Sequence, residues 1–208
     1  MSLANKGELA AALASWSTKT SLAAEIPDFI AWAHQEIGRK LRAPVLYARA
    51  ALTVDAETIA APSGFLAAKR FYLDGQPRHG LALTDSGRLI DLIMDSFPAD
   101  RPTHFAVEGT DTLAFAPLFN GSLTGQMLYY KAPALLVDDA DSNTVLAKYP
   151  FLYLFGALEA LFRFLEDDNN TDRYGAQFGG LIASINDEEA KDALRGPLVG
   201  TAGSGGVV

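Results

Sequence analysis

Apolar positions recur at helical spacing at both ends of the chain and give way to short β-type runs in its middle. Leu9, Leu13 and Trp16 lie four and three residues apart on an Ala-rich background, and a second stripe runs through Ile26, Phe29, Ile30, Ala33, Ile37 and Leu41. Each predicts an amphipathic helix. Pro27 suits the first turn of the second, where its missing N–H would have no partner, Asp28 suits the positive N-terminal end, and Pro44 closes the segment.

Between these stripes and the next, β-branched and aromatic residues cluster at 51–54, 58–61, 70–73, 103–108, 112–115 and 125–130, bounded by Gly, Pro, Asp and Asn. They predict strands of an antiparallel sheet. Thr84 or Ser86 is positioned to cap a short helix carrying Leu89, Ile90, Ile93 and Met94. From about Asn143 the helical period returns. Phe151, Leu154, Phe155, Leu158, Leu161, Phe162 and Leu165 form a broad stripe after Pro150. Glu166-Asp167-Asp168-Asn169-Asn170 interrupts it, and Tyr174, Phe178, Leu181, Ile182 and Ile185 resume it after a cap at Asn170 or Thr171. Gly179-Gly180 inside this last helix should cost about 1 kcal/mol each relative to Ala, which suggests a close helix approach or a bend.

The element order predicts an α+β fold in which N- and C-terminal helices, residues 5–43 and 143–195, pack as a helical bundle. An inserted antiparallel β domain, 44–142, would carry one short helix, and 196–208 would form a flexible tail.

Composition adds three constraints. The 208 residues are 49% hydrophobic, enough for a sizeable core, and the absence of cysteine excludes disulfides, thiolate metal sites and a Cys nucleophile. The formal charge is −8, and residues 138–208 hold twelve acidic against five basic residues, which argues against sequence-specific duplex binding. The longest apolar stretch, Pro150 to Leu165, is short for a bilayer and contains Glu159 and Arg163. Residues 1–8 carry charge where a secretory signal needs an apolar centre. A soluble protein without membrane association is expected.

Catalytic signatures are mostly missing. His34, His79 and His104 are dispersed, and no phosphate-binding Gly loop occurs. Asp139, Asp141 and Asn143 have the alternate spacing that opens a calcium loop, but Thr144 stands where Gly is required and Pro150 where the bidentate Glu belongs. Ser204 lies in a Gly-rich tail without a strand-to-helix turn. No cofactor or metal is expected. Two enzyme or ligand readings stay open: a small carboxylate or metal-dependent hydrolase using Asp139, Asp141, Glu166 and Asp168, or a ligand-binding module with an aromatic cavity around Phe105, Phe115 and Tyr129. Arg39, Lys40 and Arg42 are the densest basic cluster, suited to a partner and equally to the negative end of their own helix.

The order of motifs carries more. Ile26-Pro27-x-Phe29-Ile30-x-x-Ala33-x-x-x-Ile37-x-x-x-Leu41-Arg42 is followed by Ala61-Pro62-Ser63-Gly64-Phe65-Leu66 and Tyr72-Leu73-Asp74-Gly75. Tyr129-Tyr130-x-x-Pro133-x-Leu135 comes next, then Tyr149-Pro150-x-Leu152-Tyr153-x-x-Gly156-Ala157-Leu158. Over about residues 5 to 195 this series resembles the head-to-tail adaptor family of tailed bacteriophages and prophages, of the short-tailed type. Gly64 and Trp32-Ala33-His34 depart from the family pattern, which tends to carry acids there. The resemblance implies a virion structural protein without catalysis, assembled in the host cytoplasm. It would join copies of itself in a ring beneath a portal protein, meet tail components below, and lie near DNA in the channel. It also implies that C-terminal segments dock between portal subunits. Leu198, Val199, Val207 and Val208 are the apolar anchors with which this tail could order on a partner, alongside the Arg39, Lys40 and Arg42 cluster.

Overall fold

The computed structural model describes residues 3–17, 22–75, 78–95 and 99–194. Helix α1, Lys6–Ser17, begins on Asn5, whose Oδ1 accepts the Glu8 amide at 2.9 Å. It buries Leu9, Ala12 and Leu13, whereas Trp16 remains 42% exposed. Helix α2, Ile26–Lys40, has Pro27 in its first turn as expected and buries Ile26, Phe29, Ile30, Ala33 and Ile37. A 3-10 turn, Pro44–Leu46, leads into the first strand.

Seven strands follow: β1 (Tyr47–Val54), β2 (Thr58–Ala60), β3 (Phe65–Leu73), β4 (His79–Leu83), β5 (His104–Glu108), β6 (Thr112–Ala116) and β7 (Leu123–Lys131). They form one curled sheet in the order β1-β7-β3-β4-β5-β6-β2. Its inward face alternates as a half-buried sheet must, with Val54, Phe71, Leu73, Met127 and Tyr129 packed around Phe105 and Phe115. Helix α3, Ser86–Asp95, joins β4 to β5 and covers β5 and β6 through Leu89. Asp85, rather than Thr84 or Ser86, caps it by accepting the Arg88 amide at 3.0 Å. Ile90 and Met94, expected on its apolar face, are 52% and 79% exposed.

Three helices follow: α4 (Thr144–Lys148), α5 (Pro150–Phe164) and α6 (Asp168–Leu194). Helix α5 packs against both α2 and α6, and α1 rests on it too. The cap of α6 is Asp167, whose carboxylate accepts the Asn170 amide at 3.2 Å.

This architecture corrects the expected α+β plan. The fold is mixed α/β, built among the described residues on one seven-stranded curled sheet with six α-helices, and the helices do not frame an inserted antiparallel β domain as an N- and C-terminal bundle. Two physical reasons account for the difference. The β4-α3-β5 connection is a helical crossover, so β4 and β5 pair in parallel, Ala82 opposite His104. The short helix is therefore part of the sheet's wiring rather than an ornament on it. In addition, the helical core is not closed on itself: Leu46 belongs to it, and Leu66 of β3 and Tyr130 of β7 pack against it.

Gly156 and the Gly179-Gly180 pair separate two uses of glycine in helices. A Cβ at Gly156 would sit 3.1 Å from both Ala33 Cβ and the Phe178 ring, so its missing side chain sets how closely α5 approaches α2 and α6. A Cβ at Gly179 or Gly180 would meet nothing within 4 Å, so the expected close approach there is absent. Gly179→Ala and Gly180→Ala should each stabilise the protein by about 0.5–1 kcal/mol in urea denaturation, because only helix propensity is at stake.

Candidate functional site

The best-defined buried polar cluster joins three distant parts of the chain. Asn143 precedes α4 and caps it, its Oδ1 accepting the Leu146 amide at 2.8 Å. Its Nδ2 donates to the Ala134 carbonyl at 2.8 Å and to the Tyr153 hydroxyl at 2.9 Å. The Tyr153 hydroxyl in turn meets Nδ1 of His34 on α2 at 2.9 Å. Since Asn143 donates to that oxygen, the phenol proton goes to His34 Nδ1, which assigns the neutral imidazole with its proton on Nε2. Tyr153 is fully buried, and that burial pushes its phenol up to about 12 despite the Asn143 hydrogen bond. The cluster is a positioning device: it ties α2, α5 and the segment before α4 together.

Two outcomes follow from this chain of bonds. Asn143→Ala removes a helix cap and leaves the Ala134 carbonyl without its donor, so it should destabilise by about 2–4 kcal/mol in urea denaturation. Asn143→Asp keeps the cap acceptor, loses the two donated bonds and should fall between. Burial also lowers the His34 pKa from its ordinary 6.5. A group depressed in the folded state contributes its full stability above the unfolded pKa and loses it as pH falls through the folded value. Stability should therefore decline as pH falls below the ordinary 6.5 and through the lowered folded-state value, and His34→Gln should flatten that slope in pH-dependent denaturation.

The basic cluster at the end of α2 is organised around that helix. Arg39 and Lys40 both reach Glu36 Oε2 at 2.7 Å, and the Arg39 hydrogen bond is the main cause holding the Glu36 carboxyl below its usual range. Arg42 Nη1 donates to the carbonyls of Gly38, 3.0 Å, and Leu41, 2.6 Å, and its guanidinium lies 5.8 Å from the Tyr130 ring. Asn186 of α6 completes this corner by accepting the Arg42 amide at 2.8 Å and donating to the Lys40 carbonyl at 3.0 Å. Nothing in the sequence pattern marks Asn186. Arg39 remains exposed at 68% of its side chain, so the corner can still meet a partner. Leu198, Val199, Val207 and Val208 lie outside the described residues.

The carboxylates of the hydrolase reading do not converge. Asp139 and Asp141 belong to the turn bonded to the start of α1, where Gly7 and Lys6 amides donate to their carbonyls at 2.9 Å. The Asp141 carboxylate instead accepts the Asp138 and Val137 amides, which lower its pKa. Glu166 and Asp168 lie instead where α5 turns into α6. Among the described residues no three His, Asp or Glu side chains are grouped to hold a metal ion. The aromatic cavity is likewise filled: Phe105 and Phe115 are fully buried, Tyr129 nearly so, and Phe71 packs 5.8 and 5.6 Å from the first two rings.

Arginines without a carboxylate partner among the described residues lie on the outward face of the sheet. Arg49 on β1 and Arg70 on β3 flank Leu128 of β7 in register, and Arg78 stacks 5.3 Å from the Tyr72 ring. These residues line an open groove of about 480 Å³. No helix of the described residues is long and apolar enough to cross a membrane.

Comparison with known proteins places these features in a family. A search of curated proteins returned no significant match. The family model of the SU10 adaptor protein matches residues 4–200, which takes in every helix, every strand and both polar corners described above. The protein is therefore a member of the SU10 adaptor family, a phage adaptor family of structural, non-enzymatic kind that associates with other head-tail components of the virion.

Proposed function

We propose that this chain docks as a ring beneath the portal protein and links it to the tail. The observation that carries the reading is the family match across residues 4–200. The site chemistry agrees with it, because the polar groups brought together are spent on holding α2, α5 and α6 in place. An adaptor needs such rigidity, since a docking surface loses affinity with every side chain or loop that must be ordered on binding. The basic corner of Arg39, Lys40 and Arg42 and the apolar residues Leu198, Val199, Val207 and Val208 are the proposed contacts with the portal, and copies of the chain contact one another around the ring. The excess of acid suits a channel through which DNA passes without being held.

Sedimentation of the purified chain with its cognate portal protein tests the reading. A complex with one adaptor per portal subunit is expected, and Arg39→Glu combined with Lys40→Glu should weaken it. Absence of any complex with the portal would overturn the proposal.

A further inference from the structure

Strands β1, β3, β4 and β7 contain no acidic residue, although the chain as a whole carries a charge of −8. Their outward face holds Arg49 and Arg70, and Arg78 lies just before β4, all three exposed. A β-bulge between Ala68 and Arg70 helps build this face. It leaves Lys69 as an extra residue between the Ala68–Tyr129 and Arg70–Leu128 pairs, so Lys69 and Arg70 lie on one side. Lys69 is engaged with the Tyr47 hydroxyl and lies 5.8 Å from the Tyr130 ring, which leaves the groove to the three arginines. Among the described residues no carboxylate lies within ion-pair distance of Arg49, Arg70 or Arg78. Leu128 and Tyr72 give the same groove an apolar floor.

The complementary surface is on the same chain. Where α5 turns into α6, Phe164 is 59% exposed, and Glu166, Asp168 and Asp172 of the following turn are exposed, while the two arginines of this stretch are Arg163, paired to Glu159, and Arg173, over the Tyr174 ring. Glu166 holds a left-handed backbone, φ 55°, at a position where glycine would be less strained, and so holds a carboxylate at the tip of the turn. An exposed aromatic ring followed by a turn with an excess of carboxylates complements an apolar floor bordered by guanidinium groups.

We infer that the Arg49–Arg70–Arg78 groove of one copy receives the α5–α6 corner of the next copy. This rests on the ring reading above and deepens it by naming the subunit contact. Two different patches on one chain make a heterologous contact, the kind that closes into rings. A nucleic acid fits the groove less well, because the net charge of −8 repels a polyanion at long range while leaving a local patch-to-patch contact favourable.

Charge reversal tests the contact on the full chain. One variant carries Arg49→Glu and Arg70→Glu, the other Glu166→Lys and Asp168→Lys, all at exposed positions whose folding is checked by circular dichroism. In sedimentation velocity at low salt the native chain should self-associate and dissociate as salt rises. Each variant alone should associate at least about tenfold more weakly, since its groove and corner then carry like charges. An equimolar mixture should regain association, because each variant's groove then matches the other's corner. Native-like association of either variant alone, a mixture that stays monomeric, or a native chain that stays monomeric at low salt would overturn the inference. Loss of oligonucleotide binding in the Arg49→Glu, Arg70→Glu variant with self-association intact would do the same and reassign the groove to nucleic acid. Portal binding, measured in parallel, reads the docking proposal separately: recovery in the mixture without portal binding strikes docking alone.

Discussion

Phe178→Ala should destabilise the protein by about 3–5 kcal/mol in urea denaturation. Phe178 is 1% exposed and stands where three helices meet. Its ring is 3.1 Å from the place a Cβ would take at Gly156 on α5, 6.5 Å from the Trp32 ring on α2, and 5.7 Å from Lys40 Nζ. Truncation leaves a void that helices held together by the Asn186 bonds to Lys40 and Arg42 cannot readily close. Phe178→Leu keeps most of the volume and should cost about 1.5 kcal/mol or less. A loss for Phe178→Ala as small as that for Phe178→Leu would mean that α2, α5 and α6 slide freely, against the reading of this corner as rigid.

Phe71→Ala should produce a loss of similar size, about 3–5 kcal/mol, from the other core. Phe71 is 1% exposed and contacts Phe105 and Phe115 across the curl of the sheet. Gly125 of β7 makes room for it: a Cβ there would lie 2.9 Å from the Phe71 ring and 2.7 Å from the Tyr72 carbonyl oxygen. The aromatic edge and the neighbouring backbone thus fill the space a side chain would need, and the truncated variant loses contacts on several strands at once. Phe71 and Phe178 belong to separate core clusters, so the double variant should lose the sum of the two single losses within about 0.5 kcal/mol. A departure larger than that would show that the sheet core and helix core respond as one.

Helices were the most legible elements because their signals are local. The stripe from Ile26 to Leu41 with Pro27 in the first turn gives α2, Ile26–Lys40, and Pro150 opens α5 as read. Burial was less legible. Trp16 and Phe151 sit on apolar stripes yet are 42% and 51% exposed, since a stripe reports which face turns inward and not how far the neighbouring element extends. Strand pairing is not legible at this level: the parallel β4–β5 contact depends on a crossover through α3, which no residue within either strand encodes. The same limit applied to the surface. Arg39, Lys40 and Arg42 stand out because they are adjacent, whereas Arg49, Arg70 and Arg78 are scattered in sequence and become neighbours through the registers of β1, β7, β3 and β4. The His34–Tyr153 bond spans 119 positions and had no signal beyond the residue types themselves.

The Asn186 clasp on the end of α2 reaches back 144 positions to Arg42. During synthesis the first 42 residues therefore leave the ribosome well before the segment that fastens them exists. Until α5 and α6 emerge, the apolar side of α2 stays uncovered in a growing chain, the condition under which nascent proteins recruit chaperones or stick to one another. Truncated chains ending before α6 should be aggregation-prone.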